Sequence, residues 1–566
     1  MIFFHTLLSR TLHQVSYFLS KRGENQFLLA SKDVENSQKY VLKNILKNIN
    51  NSENATKHKL SAYSSLKYFQ EQVPITDYEY WSETIKQQQE EEINLLANTE
   101  CQRYQPTSGS TAKIKWIPYT KPFLEELDNA IAPWLADMYR NYPKIKDGKH
   151  YWSLSWVPNN LRNKLTASIN NDLQLLPWWK QFFMAGTMAV PESISLAESS
   201  DESFFATACY LLSCSDLSFI SVWSPTFALS LLEFIKQHQQ EIAQVLASGE
   251  WPKEYPGLIN IDTPKNIQSS RLLLKWDGII DEKFTTAIWP KLTLISAWDT
   301  SSSKIWAEKL QKIFPHSEFQ GKGLWATEGV TSIPYGKQFP LALNSHFYEF
   351  EDLDTQKIIY SWQLIEGMCV RPIISSANGL LRYAMKDQLK VTGFINSCPC
   401  FEFIGRIEGT DMVGEKLSPE TAVQLLNAFN LEQDITPITL IAMPANKQHD
   451  KPCYLLLCEN DNSLVDKDLA KRSAELSEQL ESTLSQHFHY QLARELGQLG
   501  SARVSIQQDA LALYANHKVE QGMVKGNIKV EPLILWQNQD FLIIQKARRS
   551  KEKNIKTAGP KAGELV

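Results

Sequence analysis

Through the first 95 positions apolar residues recur at helical spacing, and polar, Asn/Lys-rich connectors such as Asn48-Ile49-Asn50-Asn51-Ser52 separate the runs. That period predicts a helical opening region. The start, MIFFHTLLSRTLHQVSYFLSKR, is apolar but broken by His5, Arg10, His13 and Gln14. It lacks the continuous apolar stretch of a signal peptide, is too short for a membrane span, and predicts an amphipathic first helix docked on the body. The QQQEEE run before Ile93 reads as a charged, solvated face or loop. Further on, helix-like and strand-like segments alternate: LDNAIAPWLADMYR, HYWSLSW, FFATACYLLSC, LSFISVW, then TFALSLLEFIKQHQQEIAQVLA. KLTLISAW (291–298) predicts a buried strand, followed by a helix over IWAEKLQKIF. Such alternation predicts an α/β core with a mostly parallel sheet.

From about 340 to 406 the period shortens. HFYEFEDL, IEGMCVRPII, GLLRYAMKDQLKVTGF and CFEFIGRI predict short strands with turns between them, as in a strongly curved, barrel-like subdomain. Near residue 414 the chain restarts as a smaller α+β unit. Ser418 caps a helix with Pro419 at its first position, running to about Leu431. The strands ITLIAM and CYLLLC follow, then a long helix over about 467–496, the strand ARVSIQ and a last segment ending FLIIQ. The expected organisation is a large α/β domain over 1–413, a small α+β domain over 414–545, and a basic tail from 546 to 566. That tail has seven Lys/Arg in its first 16 positions and no apolar period, the composition of a disordered segment.

The 566 residues are ordinary for a well-cored globular protein, with 43% hydrophobic and 21% charged positions. Sixteen Trp, 20 Tyr and 25 Phe provide bulky core or pocket-lining material. A net charge of −5 offers no general attraction to nucleic acid or an anionic membrane, so any anion site is local. Eight cysteines form no CxxC pair, and Cys398-Pro399-Cys400 has no nearby partners to complete a zinc set. Free thiols in a reducing cytoplasm are expected.

Four stretches carry chemically expensive residues. TSGSTAKIK (107–115) concentrates hydroxyls, one glycine and the lysines Lys113 and Lys115. It is neither a Walker loop nor a Rossmann turn; it can surround an oxyanion, or be a hairpin turn with solvated lysines. In LWATEG (324–329) Glu328 follows a strand-like segment, where an open α/β sheet would place a magnesium-binding carboxylate; an exposed strand-end Glu looks the same. Asp387, before the strand Leu389-Lys390-Val391-Thr392, can accept from a ribose diol or cap its own turn. Gly405-Arg406-Ile407-Glu408 and Gly414-Glu415-Lys416-Leu417 lie at the domain junction and suit a hinge or a plain linker.

In order and spacing, these stretches together resemble one family. Thr107-Ser108-Gly109-Ser110-Thr111 with Lys113 and Lys115 is similar to the phosphate loop of adenylate-forming enzymes. WSPTFALSLLEFI, WPKLTLISAW, LWATEG, HFYEF, GLLRYAMKDQLKVTGFINSCPCFEFIGR and GEKL resemble one branch, the acyl-acid amido synthetase (auxin-responsive promoter) family, from about residue 20 to 535. The resemblance implies a firefly-luciferase-like architecture whose large domain holds the nucleotide and acyl sites beneath a mobile C-terminal cap. It also implies ATP and magnesium as cofactors, with a small carboxylic acid and an amine, in known members an amino acid, as substrates. A monomer with no nucleic-acid or membrane partner is expected.

Carried over residue by residue, the resemblance gives Ser108, Gly109, Ser110 and Thr111 to the phosphates, and Lys115, with Lys113, to the leaving pyrophosphate. It gives Glu328 to magnesium, Thr327 to the α-phosphate and Asp387 to the ribose, with Arg406 beside the nucleotide. Lys416 would face the phosphates from the junction. Gly526-Asn527-Ile528-Lys529-Val530 resembles the segment bearing the catalytic lysine, which makes Lys529 the choice and Lys525 its competitor. Three departures stand out: Ser110 replaces the usual threonine, Ala384 and Lys386 replace the usual Arg and Gly before Asp387, and the junction is short. An acyl-CoA synthetase using a thiol acceptor and a catalytically silent homologue are the alternatives. Segments near 150–156 and 223–235 are expected to line the acyl pocket.

Overall fold

Five helices open the chain: α1 (Ile2–Ala30), α2 (Val34–Ile49), α3 (Glu53–Lys57), α4 (Leu66–Gln72) and α5 (Tyr78–Glu91). Four start at a side-chain cap, with Asp33, Ser52, Ser65 and Asp77 accepting from the N–H groups of Asn36, Ala55, Tyr68 and Tyr80. Each cap satisfies one otherwise orphaned donor and contributes about 1 kcal/mol. The QQQEEE run is not wholly solvated. Gln88 is buried; its carbonyl accepts from the N–H groups of Leu95 and Leu96, and its amide donates to the Tyr104 hydroxyl. The computed structural model describes residues 2–108, 114–153, 186–191, 193–194, 197, 199–300, 303–406, 409–410, 412–413, 415, 417–430, 435–445, 451–460, 466–495, 497–521, 523 and 528–536.

After α5 comes an antiparallel hairpin of β1 (Cys101–Ser108) and β2 (Ile114–Thr120), with Thr107 opposite Lys115 and Ser108 opposite Ile114. Thr120 caps α6 (Lys121–Asn141). A fully parallel four-stranded sheet follows in sequential order: β3 (Lys149–Trp152), β4 (Leu217–Ser221), β5 (Leu294–Ala297) and β6 (Glu318–Gly321). Between these strands run α7 (Ser200–Ser213), α8 (Pro225–Gln237), α9 (Gln239–Ser248), α10 (Ile267–Lys275), α11 (Glu282–Ile288) and α12 (Lys304–Ile313). The single helix expected over TFALSLLEFIKQHQQEIAQVLA breaks at His238, whose ring stacks on Phe234 and hydrogen-bonds Glu241. Alternate residues of the sheet face two different cores. Phe219 and Leu294 join one, Ile220 and Ile295 the other. Burial on both faces is the usual condition of a parallel sheet, and it leaves the strand ends for chemistry.

A short hairpin, β7 (Trp325–Ala326) and β8 (Gly329–Val330), leads into an antiparallel sheet of β9 (Phe347–Asp352), β10 (Ile358–Tyr360), β11 (Cys369–Ser375), β12 (Tyr383–Ala384), β13 (Asp387–Ile395) and β14 (Cys398–Arg406). Register shifts at Gln388/Leu389 and Val391/Gly393 curve the β13–β14 pair.

The chain divides into two compact units, residues 1–407 with 512–530, and residues 408–511 with 531–566. The division is not one cut along the sequence, and Lys529 belongs with the first unit. The second unit contains α13 (Pro419–Phe429), β15 (Ile435–Met443), β16 (Cys453–Asn460), α14 (Asp466–Leu484), α15 (Phe488–Glu495), β17 (Arg503–Gln507) and β18 (Leu533–Leu535). Its four strands order as β17-β16-β15-β18. Ser418 caps α13, with Pro419 at its first turn. The long helix expected over 467–496 is two helices, interrupted at 485–487.

Candidate functional site

Thr327 and Glu328 form the two-residue tip of the β7–β8 hairpin, because Ala326 pairs with Gly329 on either side of them. The glycine is a steric requirement. A Cβ on Gly329 would come within 2.8 Å of Nε2 of the buried His346, which is itself fixed through Nδ1 by Glu126 at 3.0 Å. The hairpin tip is held from two sides. The Tyr119 hydroxyl, reaching in from β2, donates to the Thr327 carbonyl at 3.1 Å, and the Tyr383 hydroxyl donates to Glu328 Oε1 at 3.3 Å. Tyr383 is placed by its neighbour: Arg382 adopts φ +47°, its carbonyl accepts from Thr76 N–H, and the Ala384 N–H returns to the Thr76 carbonyl.

Loss of solvation raises the pKa of Glu328, Lys115 and Arg406 oppose the rise, and Asp387 adds to it. Those partners come from separate segments. Lys115 on β2 lies with Nζ 5.3 Å from the ring centroid of Tyr78, whose hydroxyl accepts from Trp116 N–H. Asp387 and Arg406 are direct register partners on β13 and β14, with Nε–Oδ1 at 3.1 Å. Lys529 Nζ sits 4.5 Å from the ring centroid of Trp298, the residue after β5. Burial, then repulsion from Arg406, lowers its pKa to about 8, against attraction from Asp387.

Of the residues singled out by sequence, Lys115, Thr327, Glu328, Asp387, Arg406 and Lys529 therefore converge. Ser108 ends β1, so the loop TSGSTAKIK spans a hairpin connection; Gly109, Ser110, Thr111 and Lys113 lie outside the described residues. Lys416 and Lys525 lie outside them too. Next to Lys416, Glu415 is buried in the second unit, accepting from the N–H groups of Met412 and Val413 and from the Tyr454 hydroxyl. Tyr78, Tyr119, Tyr383 and Trp298 were not picked out by sequence, since a core aromatic and a site aromatic have the same composition. The stretches expected to line an acyl pocket contribute an aromatic group: Trp152 packs on Trp134 at 5.7 Å, and Trp223 on Trp325 at 5.7 Å.

Among the described residues no cluster of three His, Cys, Asp or Glu could hold a metal alone. Magnesium does not ask for one: it commonly takes one or two carboxylates, with water and substrate phosphates completing its octahedron. Glu328, whose anionic form is disfavoured by burial and by Asp387, fits such a single-carboxylate role.

Comparison with known proteins finds one family along most of the chain. The GH3 family N-terminal domain model matches residues 23–319, the central domain model 339–406 and the C-terminal domain model 420–538. Indole-3-acetic acid-amido synthetase GH3.4 of Arabidopsis thaliana is 22% identical over 426 residues, 66% of this chain and 68% of that protein. For GH3.2 of the same plant the figures are 21% over 424 residues, 66% and 74%. The solved GH3.15 acyl acid amido synthetase superimposes with a TM-score of 0.76 at 16% identity, covering 93% of this chain and 95% of its own.

Proposed function

The chain belongs to the GH3 family, and on that premise we propose that it is an ATP-dependent acyl-acid amido synthetase. The observation that carries this is the convergence of two carboxylates and three cations, Glu328, Asp387, Lys115, Arg406 and Lys529, from separate segments into one electrostatic neighbourhood. Opposed charges at that density suit a triphosphate, whose own charge must be both accepted and directed.

In the first step a carboxylate oxygen of the acyl acid attacks the α-phosphorus of ATP. The bond to the β-phosphate bridging oxygen breaks, and pyrophosphate departs with the electron pair. In the second, an amine nitrogen attacks the acyl carbonyl carbon, AMP leaves and the amine gives up a proton. The first step joins two anions, so the residues chiefly neutralise and align. Lys529 offsets charge at the α-phosphate and Lys115, with Lys113, at the leaving group. The loop Ser108–Thr111 supplies hydroxyl and backbone donors, Thr327 reaches the α-phosphate, Asp387 accepts from the ribose hydroxyls, Arg406 orients Asp387, and Lys416 adds charge near the phosphates. Magnesium, held by Glu328, would supply further neutralisation of the phosphates. A cytoplasmic setting suits the eight free thiols, and no described helix is long and apolar enough to cross a membrane.

The acceptor is tested by mass spectrometry of products from MgATP, pooled carboxylic acids and either pooled amino acids or coenzyme A. Amides and AMP are expected. Thioesters without amides would move the assignment to an acyl-CoA synthetase.

A further inference from the structure

A further cation lies at the sheet's C-terminal edge. Lys322 directly follows β6 and is only 8% exposed. Its Nζ donates to Ser221 Oγ, the last residue of β4, at 2.9 Å. It also lies 4.9 Å and 5.3 Å from the ring centroids of Trp134 and Trp223. No carboxylate pairs with it among the described residues. An ammonium has three donors to satisfy, and a buried one without a counter-ion is costly. Desolvation, and then the charge of Lys529, accordingly lowers its pKa to about 7. A leucine or methionine would fill the same tryptophan-walled slot without that cost. The ammonium is explained if something anionic comes to it.

We propose that Lys322, steadied by Ser221, holds the reacting carboxylate of the acyl acid, whose apolar body lies against Trp134 and Trp223. This rests on the adenylation chemistry above and deepens it by naming a positioning group for the acid. Lys322 lies near enough to Lys529 to feel its charge, and an anion placed by both relieves their repulsion while facing the α-phosphate. The chain also runs from Lys322 through Gly323 and Leu324 to Trp325, then through Ala326 to Thr327 and Glu328, so acid and nucleotide groups share one short segment. Trp325 packs against Trp223 of the same aromatic wall.

The test is acid-dependent ATP–pyrophosphate exchange with benzoate, indole-3-acetate and decanoate, on wild type, Lys322→Met, Lys322→Arg and Ser221→Ala. In Lys322→Met the KM for the acid should rise at least about 10-fold while the KM for ATP stays within about twofold, the split expected for a lost acid contact. In wild type, kcat/KM for the acid should fall as pH rises through about 7, where the free enzyme's Lys322 loses its proton. Lys322→Met should lose that limb and keep only the one set by Lys529 near 8. Lys322→Arg should restore part of the affinity and carry the limb to higher pH, which decides the matter even if Lys322→Met does not fold. Ser221→Ala should raise the acid KM by a smaller factor. An unchanged acid KM, a parallel rise in the ATP KM, or a persisting limb near 7 in the Lys322 variants overturns the role of Lys322 and leaves adenylation standing. No exchange by wild type with any of the acids overturns both.

Discussion

Glu328 is a carboxylate placed where its charge is poorly solvated and faces a second carboxylate, with Lys115 and Arg406 as partial compensation. Replacing it with alanine should lower acid-dependent pyrophosphate exchange at least about 100-fold, on the scale of losing a principal electrostatic group, with circular dichroism unchanged. Wild-type exchange in that variant would remove Glu328 from the site. Tyr383→Phe deletes a single hydrogen bond of 3.3 Å to the same carboxylate. It should cost about 3- to 10-fold in kcat/KM for ATP, the range of one net hydrogen bond. Lys529→Ala should also abolish exchange. In wild type, kcat/KM for ATP should decline as pH rises through about 8, because the free-enzyme ammonium is lost there. Glu328, Asp387 and Lys529 were legible in sequence because each sits in a motif. Tyr119 and Lys322 were not: one is a tyrosine in an apolar strand, the other a lysine between two glycines, and only packing shows what they face.

At the scale of elements, the connection between β11 and β12, which delivers Tyr383 to the site, contains two residues with positive φ. Arg382 holds a positive φ while its guanidinium makes a bidentate pair with the buried Glu349 at 2.9 and 3.0 Å and donates to the carbonyls of Gln70 and Val73. Removing the cation strands a buried carboxylate. Arg382→Met should therefore destabilise by about 3–5 kcal/mol, read as a lower midpoint in chemical denaturation; an unchanged midpoint would mean that Glu349 is not relying on it. Gly379 has φ +92°, and a Cβ there would meet the Leu96 carbonyl oxygen at 2.3 Å. The alternation of helices and strands was readable from apolar content, since a parallel sheet buried on both faces leaves short, largely apolar runs such as LISA. The interruptions at His238 and at 485–487 were not readable, because helical period continues across them and tertiary contacts decide where a helix stops. The hairpin under TSGSTAKIK fits both possibilities left open by its composition, since a turn is also what brings backbone donors together.

At the scale of the molecule, acid stability follows from buried neutral imidazoles. His13 is fully buried, stacked on His150 at 4.0 Å and bonded to Tyr139 and the Gly148 carbonyl. Burial brings its pKa from 6.5 down to about 4, with Asp147 opposing and Lys146 assisting; His150 is also lowered, by burial and then by His13. Between those pH values the unfolded chain binds protons that the folded chain refuses. Stability should therefore fall as pH drops from about 6.5 towards 4, by about 3 kcal/mol from His13 alone, and His13→Gln should flatten that slope in urea titrations. The division of the chain into two units was only partly visible in sequence. The restart at Ser418-Pro419 is local, whereas the packing of 512–530 with the first unit is a long-range property that no window of residues reports. Function rests on whether the charged neighbourhood in that unit activates a carboxylate with ATP. Exchange of labelled pyrophosphate into ATP, measured with magnesium and a broad panel of carboxylic acids, asks this without any acceptor. Incorporation that depends on an acid is the predicted result; incorporation by none of them would contradict adenylation by this protein.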